Sequence, residues 1–224
     1  MRIFCFSDTH QKALPDCVPA PDVFLFAGDL YDKQNRGGQT PEDVEFRKSV
    51  RTWREKYPQP VYAVKGNHDL HDRADFFKSS IDLTDGAIRH LGNDLFVAGL
   101  GWTGKQFFEL PMETHLIDRC QRIEDEWARL GKRGRLILLS HYPPNDHRVI
   151  PYMGDNDGFF LNCIRDLIHD LSPLAVIAGH SHVHFGLVGR MENSVVVFPG
   201  RSGRLVTVED DRVDISKLQP ATTL

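Results

Sequence analysis

The sequence predicts an α/β fold, and three observations carry the prediction. Apolar runs of strand length alternate with amphipathic stretches of helical length. The early runs end in polar residues, often after a glycine, as strands do where they leave a sheet. The length of 224 residues suits one α/β domain spanning 1–224, with enough chain to bury a substantial core.

Ile3-Phe4-Cys5-Phe6 predicts a strand over 2–6, and Val23-Phe24-Leu25-Phe26-Ala27 a second over 22–27. A charged amphipathic helix follows over 41–56, with Pro41 in its first turn, where a missing N–H costs nothing. Val61-Tyr62-Ala63-Val64 predicts a strand over 61–65. Two short strands over 87–91 and 95–100 flank Gly92-Asn93, a hairpin signal. The next helix, over 112–131, carries Ile117, Ile123, Trp127 and Leu130 as expected core residues. Strands over 135–139 and 174–178 flank a helix over 159–170. The β-branched runs between His184 and Ile215 read as antiparallel strands.

Five of these apolar runs end in metal-ligand residue types. Asp8 and His10 follow the first, two positions apart, a spacing that puts both side chains on one face of extended backbone. Asp29 follows Gly28, a residue that permits a sharp exit or a close backbone approach. The two oxygens of Asp29 allow it to bridge two ions. Asn67, after Gly66, offers a neutral amide oxygen. His141 caps the run Leu136–Leu139, and His180 and His182 follow Leu174–Ala178, again with same-face spacing. Each motif alone is ordinary: Gly28-Asp29 is a turn, and Gly66-Asn67-His68-Asp69 a turn with an Asx cap. Together they place carboxylate, amide and imidazole groups at the carboxyl ends of strands, where open α/β sheets bind ligands. That is the donor set of a hydrolytic centre for two divalent cations.

Composition narrows the setting. Hydrophobic residues make up 41% and charged residues 26% of the chain, ordinary values for a globular protein. The formal net charge of -4 disfavours nonspecific attraction to nucleic acid. No apolar stretch reaches the roughly 18–20 residues of a membrane span, and the first apolar run is too short for a signal peptide. Cys5, Cys17, Cys120 and Cys163 form no C-x-x-C pair, and Cys5 and Cys163 read as buried thiols. The chain therefore reads as cytoplasmic, with no membrane partner.

With Asp8/His10, Gly28-Asp29-Leu30-Tyr31-Asp32, Gly66-Asn67-His68-Asp69, His141 and Gly179-His180-Ser181-His182 in this order, the chain resembles the calcineurin-like metallophosphoesterases. The resemblance runs from residue 8 to residue 182. It implies a four-layer α/β/β/α sandwich of two mixed sheets. It also implies that Asp8, His10, Asp29 and His182 bind one metal, and Asp29, Asn67, His141 and His180 the other. His68 is implied as a catalytic residue outside the metal shell, oriented by Asp32; a carboxylate in that position fixes the imidazole tautomer. Phosphatases of the family acting on phosphoproteins continue with Arg-Gly after the second motif and have Glu after G-N-H. Here Lys33-Gln34 and Asp69 stand instead, so the smaller prokaryotic-type phosphodiesterases are the nearer comparison.

The expected activity is hydrolysis of a phosphodiester or phosphomonoester, by direct attack of a hydroxide bridging two metal ions. The expected substrate is a nucleotide or other small phosphoester. Mixed oxygen and nitrogen ligands suit Mn²⁺, Fe or Zn²⁺. A nuclease acting on nucleic acid is the second reading, and a non-catalytic metal-binding interaction module the third. Loops over 33–39, 71–73 and 142–158 offer substrate contacts in Lys33, Arg73, His147 and Arg148, with His71 as a further candidate. His184 is a candidate support for His182 if that segment is extended.

Overall fold

The computed structural model describes residues 1–17, 19–32, 40–69, 75–102, 112–147, 149 and 161–217. The apolar runs build two sheets. The first half supplies β1 (Arg2–Phe6), β2 (Val23–Phe26), β3 (Val61–Ala63) and β4 (Ile81–Asp82), with helices α1 (Pro41–Lys56) and α2 (Asp75–Lys78). Next come β5 (Asp85–Gly92), β6 (Leu95–Leu100), α3 (Met112–Arg129), β7 (Arg135–Ser140), α4 (Asn162–Leu171) and β8 (Ala175–Ala178). The chain closes with β9 (Val188–Met191), β10 (Ser194–Val197), β11 (Arg204–Glu209) and β12 (Arg212–Ser216).

The strand order is β12-β11-β1-β2-β3-β4 in one sheet and β5-β6-β7-β8-β10-β9 in the other. In the first, β1 to β4 run parallel and β11 and β12 antiparallel; in the second, β6, β7, β8 and β10 run parallel and the edges β5 and β9 antiparallel. Both sheets are thus mixed. Alternate residues face opposite ways along each strand, and the core divides accordingly. Ile3, Cys5, Val23 and Leu25 meet Val97, Ile137, Leu139 and Ile177 between the sheets. Phe4, Phe6, Phe24 and Phe26 pack outward on Phe46, Val50 and Trp53 of α1 and Phe76 of α2. On the far side Leu138 and Val176 pack on Leu116, Ile123 and Trp127 of α3 and Ile164 and Ile168 of α4. The layers are α/β/β/α.

The N-terminus of α1 follows its sequence signals. Thr40 Oγ1 accepts the Asp43 N–H at 3.2 Å, and Asp43 reaches back to the Thr40 N–H. These two bonds form a capping box ahead of Pro41.

Four expectations need correction. Ile117 in α3 and Leu130 just after it are exposed; the buried stripe of α3 is Leu116, Cys120, Ile123 and Trp127, and Ile117 lies about 100° off that face. The hairpin turn is Asn93-Asp94, both with positive φ (50° and 54°), as a two-residue primed turn requires. The C-terminal strands are not all antiparallel: β10 runs parallel to β8, and the four strands split between the two sheets. Cys163 is only half-buried, whereas Cys17 and Cys120 are buried along with Cys5. Among the described residues, no helix is long and apolar enough to cross a membrane.

Candidate metal centre

Parallel pairing aligns the ends of β1, β2 and β3 in one sheet and of β7 and β8 in the other, and the two edges meet. Asp8 stands after β1, Asp29 after β2, Asn67 after β3, His141 directly after β7 and His180 after β8. The seam is stitched across the sandwich. The His180 N–H donates to Asp8 Oδ1 at 3.0 Å, and His141 Nδ1 donates to the Ala27 carbonyl at 2.8 Å.

The local backbone is unusual. Asp8, His10, Asp29 and His180 all have positive φ, between 44° and 65°. Non-glycine residues seldom adopt this region, and such strain clusters where side chains must be aimed. This corrects the basis on which Asp8 and His10 were expected to converge. They meet by left-handed turns beyond the strand end, not by the pleat of an extended strand. Likewise His182 begins a short 3₁₀ turn over His182–His184, so His184 does not share a strand face with it. His184 is buried and 2.6 Å from the Ser181 hydroxyl, where it anchors the turn.

Glycines let the loops close. At Gly28 a Cβ would lie 2.6 Å from His141 Nδ1 and 2.7 Å from the Gly66 nitrogen, and at Gly66 it would collide with the Asp29 carboxylate. The sequence-level alternatives of sharp exit and close approach are both realised at Gly28, whose φ is 90°.

Seven predicted ligands converge. Asp8, His10 and His182 form one group of possible donor atoms, and Asp29, His141 and His180 another. Asp29 lies between them: its Oδ2 is 3.9 Å from His10 Nε2, 3.9 Å from His68 Nε2 and 3.6 Å from His141 Nε2. Asn67 Oδ1 is 3.0 Å from His141 Nε2 and 2.9 Å from His180 Nδ1. His182 Nε2 is 3.5 Å from Asp8 Oδ1 and 2.9 Å from His10 Nε2.

The tautomers can be read from the backbone. The carbonyls of Tyr31 and Ala27 only accept, so Nδ1 of His10 and of His141 carries the proton. Nε2 of each ring therefore presents a lone pair to the centre. At His141 that lone pair faces Asn67 Oδ1 and Asp29 Oδ2, three electron-rich atoms that a cation would reconcile.

Electrostatics favour neutral imidazoles. Burial pushes His10 and His141 below the usual imidazole range, and His180 down to about 3. Burial alone would raise the Asp8 carboxyl, but hydrogen bonds with His182 and Ser7 hold it below the usual range. Asp8 and His141 form the floor with fully buried side chains, whereas His10, His68 and His182 open to solvent, His182 the most at 54%.

His68 lies at the rim beside His10, and its N–H donates to Asp29 Oδ1 at 2.8 Å. It is near enough to His10 and Asp29 to share a cation with them. Asp32 is half-buried on the adjoining loop, where its charge acts on His10. Lys33, Arg73, Arg148 and His71 lie outside the described residues. His147 is exposed, and among the described residues no hydrogen bond or ion pair joins it to the cluster.

A buried carboxylate outside the predicted ligands braces the loops of the centre. Asp69 is buried, and its carboxylate accepts four backbone N–H groups: Gly66 and Asp29 at 2.8 Å, Leu30 at 2.9 Å and Tyr31 at 3.3 Å. It clamps the loop that carries Asp29 to the loop that carries Asn67. Burial pushes its carboxyl up to about 6, while the four donors pull the other way. The turn over residues 66–69 was legible; the carboxylate's bonds back to Gly66 and to a loop about 40 residues earlier were not.

Known proteins share this architecture. A structure of TT1561 from Thermus thermophilus superposes with a TM-score of 0.61 at 16% identity, covering 96% of this chain and 98% of that one. A putative 5'-nucleotidase from Staphylococcus aureus, solved with alpha-ketoglutarate, gives 0.61 at 11% identity, over 96% of this chain and 52% of that one. Phosphopantetheinyl hydrolase (PptH) from Mycobacterium tuberculosis gives 0.56 at 13% identity, over 94% and 97%. In sequence, the UPF0046 protein K07C11.7 of Caenorhabditis elegans is 23% identical over 201 residues, which are 84% of this chain and 66% of that protein. The chain thus spans about two thirds of the length of that relative. The signature of the calcineurin-like phosphoesterases matches residues 1–184. The chain belongs to the calcineurin-like phosphoesterase family.

Proposed function

We propose that the protein hydrolyses small phosphodiesters or phosphomonoesters, nucleotides among them, at a centre for two divalent cations. The observation that carries this reading is the lone pair of His141 Nε2, aimed at Asn67 Oδ1 and Asp29 Oδ2 around a carboxylate that both donor groups share. Asp8, His10, Asp29 and His182 would hold one cation, and Asp29, Asn67, His141 and His180 the other. The mixed oxygen and nitrogen donors suit Mn²⁺, Fe or Zn²⁺. When bound, the two ions would lower the pKa of a water toward about 7 and neutralise charge on the phosphoryl oxygens.

The chain's own residues divide the remaining work. Asp8 and Asp29 bring negative charge that holds cations on the buried floor. His10 and His141 keep their Nδ1 protons on backbone carbonyls, which fixes each ring with Nε2 inward. His68, at the open rim, would give its proton to the leaving oxygen as that bond breaks. Asp32 would orient His68 and favour its protonated form. A cytoplasmic setting is supported by four cysteines, none of them joined in a disulfide.

The test is hydrolysis of bis-p-nitrophenyl phosphate and p-nitrophenyl phosphate by metal-stripped protein, with Mn²⁺, Zn²⁺ or no metal restored. Cleavage that appears only with metal supports the reading and ranks diester against monoester. No cleavage with both cation sites filled would overturn it, and degradation of single-stranded DNA in preference to either ester would favour a nuclease.

A further inference from the structure

The turn after the last metal motif exposes an apolar surface next to the centre. Val183 is 77% exposed and Phe185 36% exposed, whereas the other aromatic side chains among the described residues are largely inside. The Phe185 ring lies 5.0 Å from the ring of His182, tilted by 40°. His182 is in turn the most exposed of the predicted ligands and stands 2.9 Å from His10.

The position of Phe185 is built. His184, between Val183 and Phe185, is buried, bonded to Ser181 and packed on Phe198 at 5.7 Å. Its anchoring turns the residues on either side outward. The Phe185 N–H closes the turn on the His182 carbonyl at 3.3 Å, and the next N–H, of Gly186, donates to the Phe198 carbonyl at 2.7 Å. Phe185 rests against Gly200, where an added Cβ would fall 2.5 Å from its Cγ. Gly200 is tied to the centre in turn, since its carbonyl accepts the Ser7 N–H at 3.1 Å, one residue before Asp8. The base of the Phe185 side chain thus packs on Gly200, and its ring lies beside His182. An exposed aromatic ring held rigidly beside a hydrolytic centre loses little entropy when a flat group stacks on it.

We propose that Phe185 is a specificity-determining residue, a stacking platform for a flat aromatic group, a nucleobase or aryl ring, carried by the phosphoester. This rests on the proposed hydrolysis and narrows its substrates to esters bearing such a ring, with Val183 extending the apolar surface. Stacking of a base on an aromatic side chain changes affinity roughly tenfold on alanine substitution.

The test compares adenosine 5'-monophosphate with ribose 5-phosphate, which share phosphate and sugar and differ in the base. Dissociation constants are measured by calorimetry on Mn²⁺-loaded full-length protein, with bis-p-nitrophenyl phosphate turnover followed in parallel. In the unaltered protein the monophosphate should bind about tenfold more tightly. Phe185→Ala and Phe185→Leu should bring the ratio close to one, and Phe185→Trp should preserve it. Phe185→Leu keeps bulk against Gly200, so a packing role alone would leave the ratio unmoved. Equal binding of both ligands by the unaltered protein, or an unchanged ratio in Phe185→Leu, overturns the inference. If ester cleavage persists in that case, the hydrolytic reading survives; if the metal-loaded protein neither cleaves esters nor binds either ligand, both fall.

Discussion

Removing the Asp69 carboxylate should cost more stability than removing any single metal ligand from the metal-free protein. Four backbone N–H groups converge on this side chain, and those of Gly66, Asp29 and Leu30 are bonded in buried surroundings at 2.8 to 2.9 Å. A buried donor left without an acceptor costs ~1–3 kcal/mol. Three donors, with one rehydrated by water entering the vacated space, give about 2–6 kcal/mol for Asp69→Ala. This is a large share of the ~5–15 kcal/mol that holds a typical domain together. Asp69→Asn should recover only part, because its NH₂ group would confront N–H donors where an oxygen now accepts them. Urea denaturation of the metal-free proteins, followed by far-ultraviolet circular dichroism, gives the difference directly. Metal affinity should also fall, by roughly 10- to 100-fold, because the loop that aims Asp29 loses its tether. A stability change below about 0.5 kcal/mol for Asp69→Ala, a typical surface-substitution value, would refute the claim that this carboxylate holds the two loops together.

Two further outcomes follow from the site. His68→Ala should retain its full metal content by elemental analysis while turnover of bis-p-nitrophenyl phosphate falls by roughly 10²- to 10⁴-fold; loss of metal instead would make His68 a ligand. The metal-free protein should lose stability as pH falls from about 7 to about 5. Burial holds His10 and His141 below the usual range and His180 at about 3, so the unfolded chain takes up protons near pH 6.5 that the folded one refuses, and stability rises with pH across that window. A denaturation midpoint that is flat or rises on acidification would contradict the burial of neutral imidazoles.

Much of the fold was legible because its signals are local. The runs that became β1, β2, β3, β7 and β8 are apolar on both faces, as parallel strands covered on both sides must be, and Thr40-Pro41 starts α1 by standard capping chemistry. The convergence of these seven polar residues was legible because each follows such a run. The conformations behind them were not. That Asp8 and His10 turn into left-handed backbone depends on bonds such as the His10 N–H to the Asp29 carbonyl, across 19 residues of chain. The sheet chosen by each C-terminal strand was hidden for a similar reason. Val195-Val196-Val197 and Leu205-Val206-Thr207-Val208 have similar local character, yet one pairs with β8 and the other with β1. Ile117 was misplaced in α3 because a lone apolar residue one position off the stripe carries no mark of its exposure.

One cluster, shared at Asp29, should hold two cations. The direct measurement is the number of divalent ions bound per chain, by elemental analysis after Mn²⁺ loading and removal of excess metal, for the unaltered protein and for Asp29→Asn. Close to two ions per chain are expected in the first and a marked loss of both in the second. One ion in the unaltered protein, or two retained in Asp29→Asn, would contradict the shared centre.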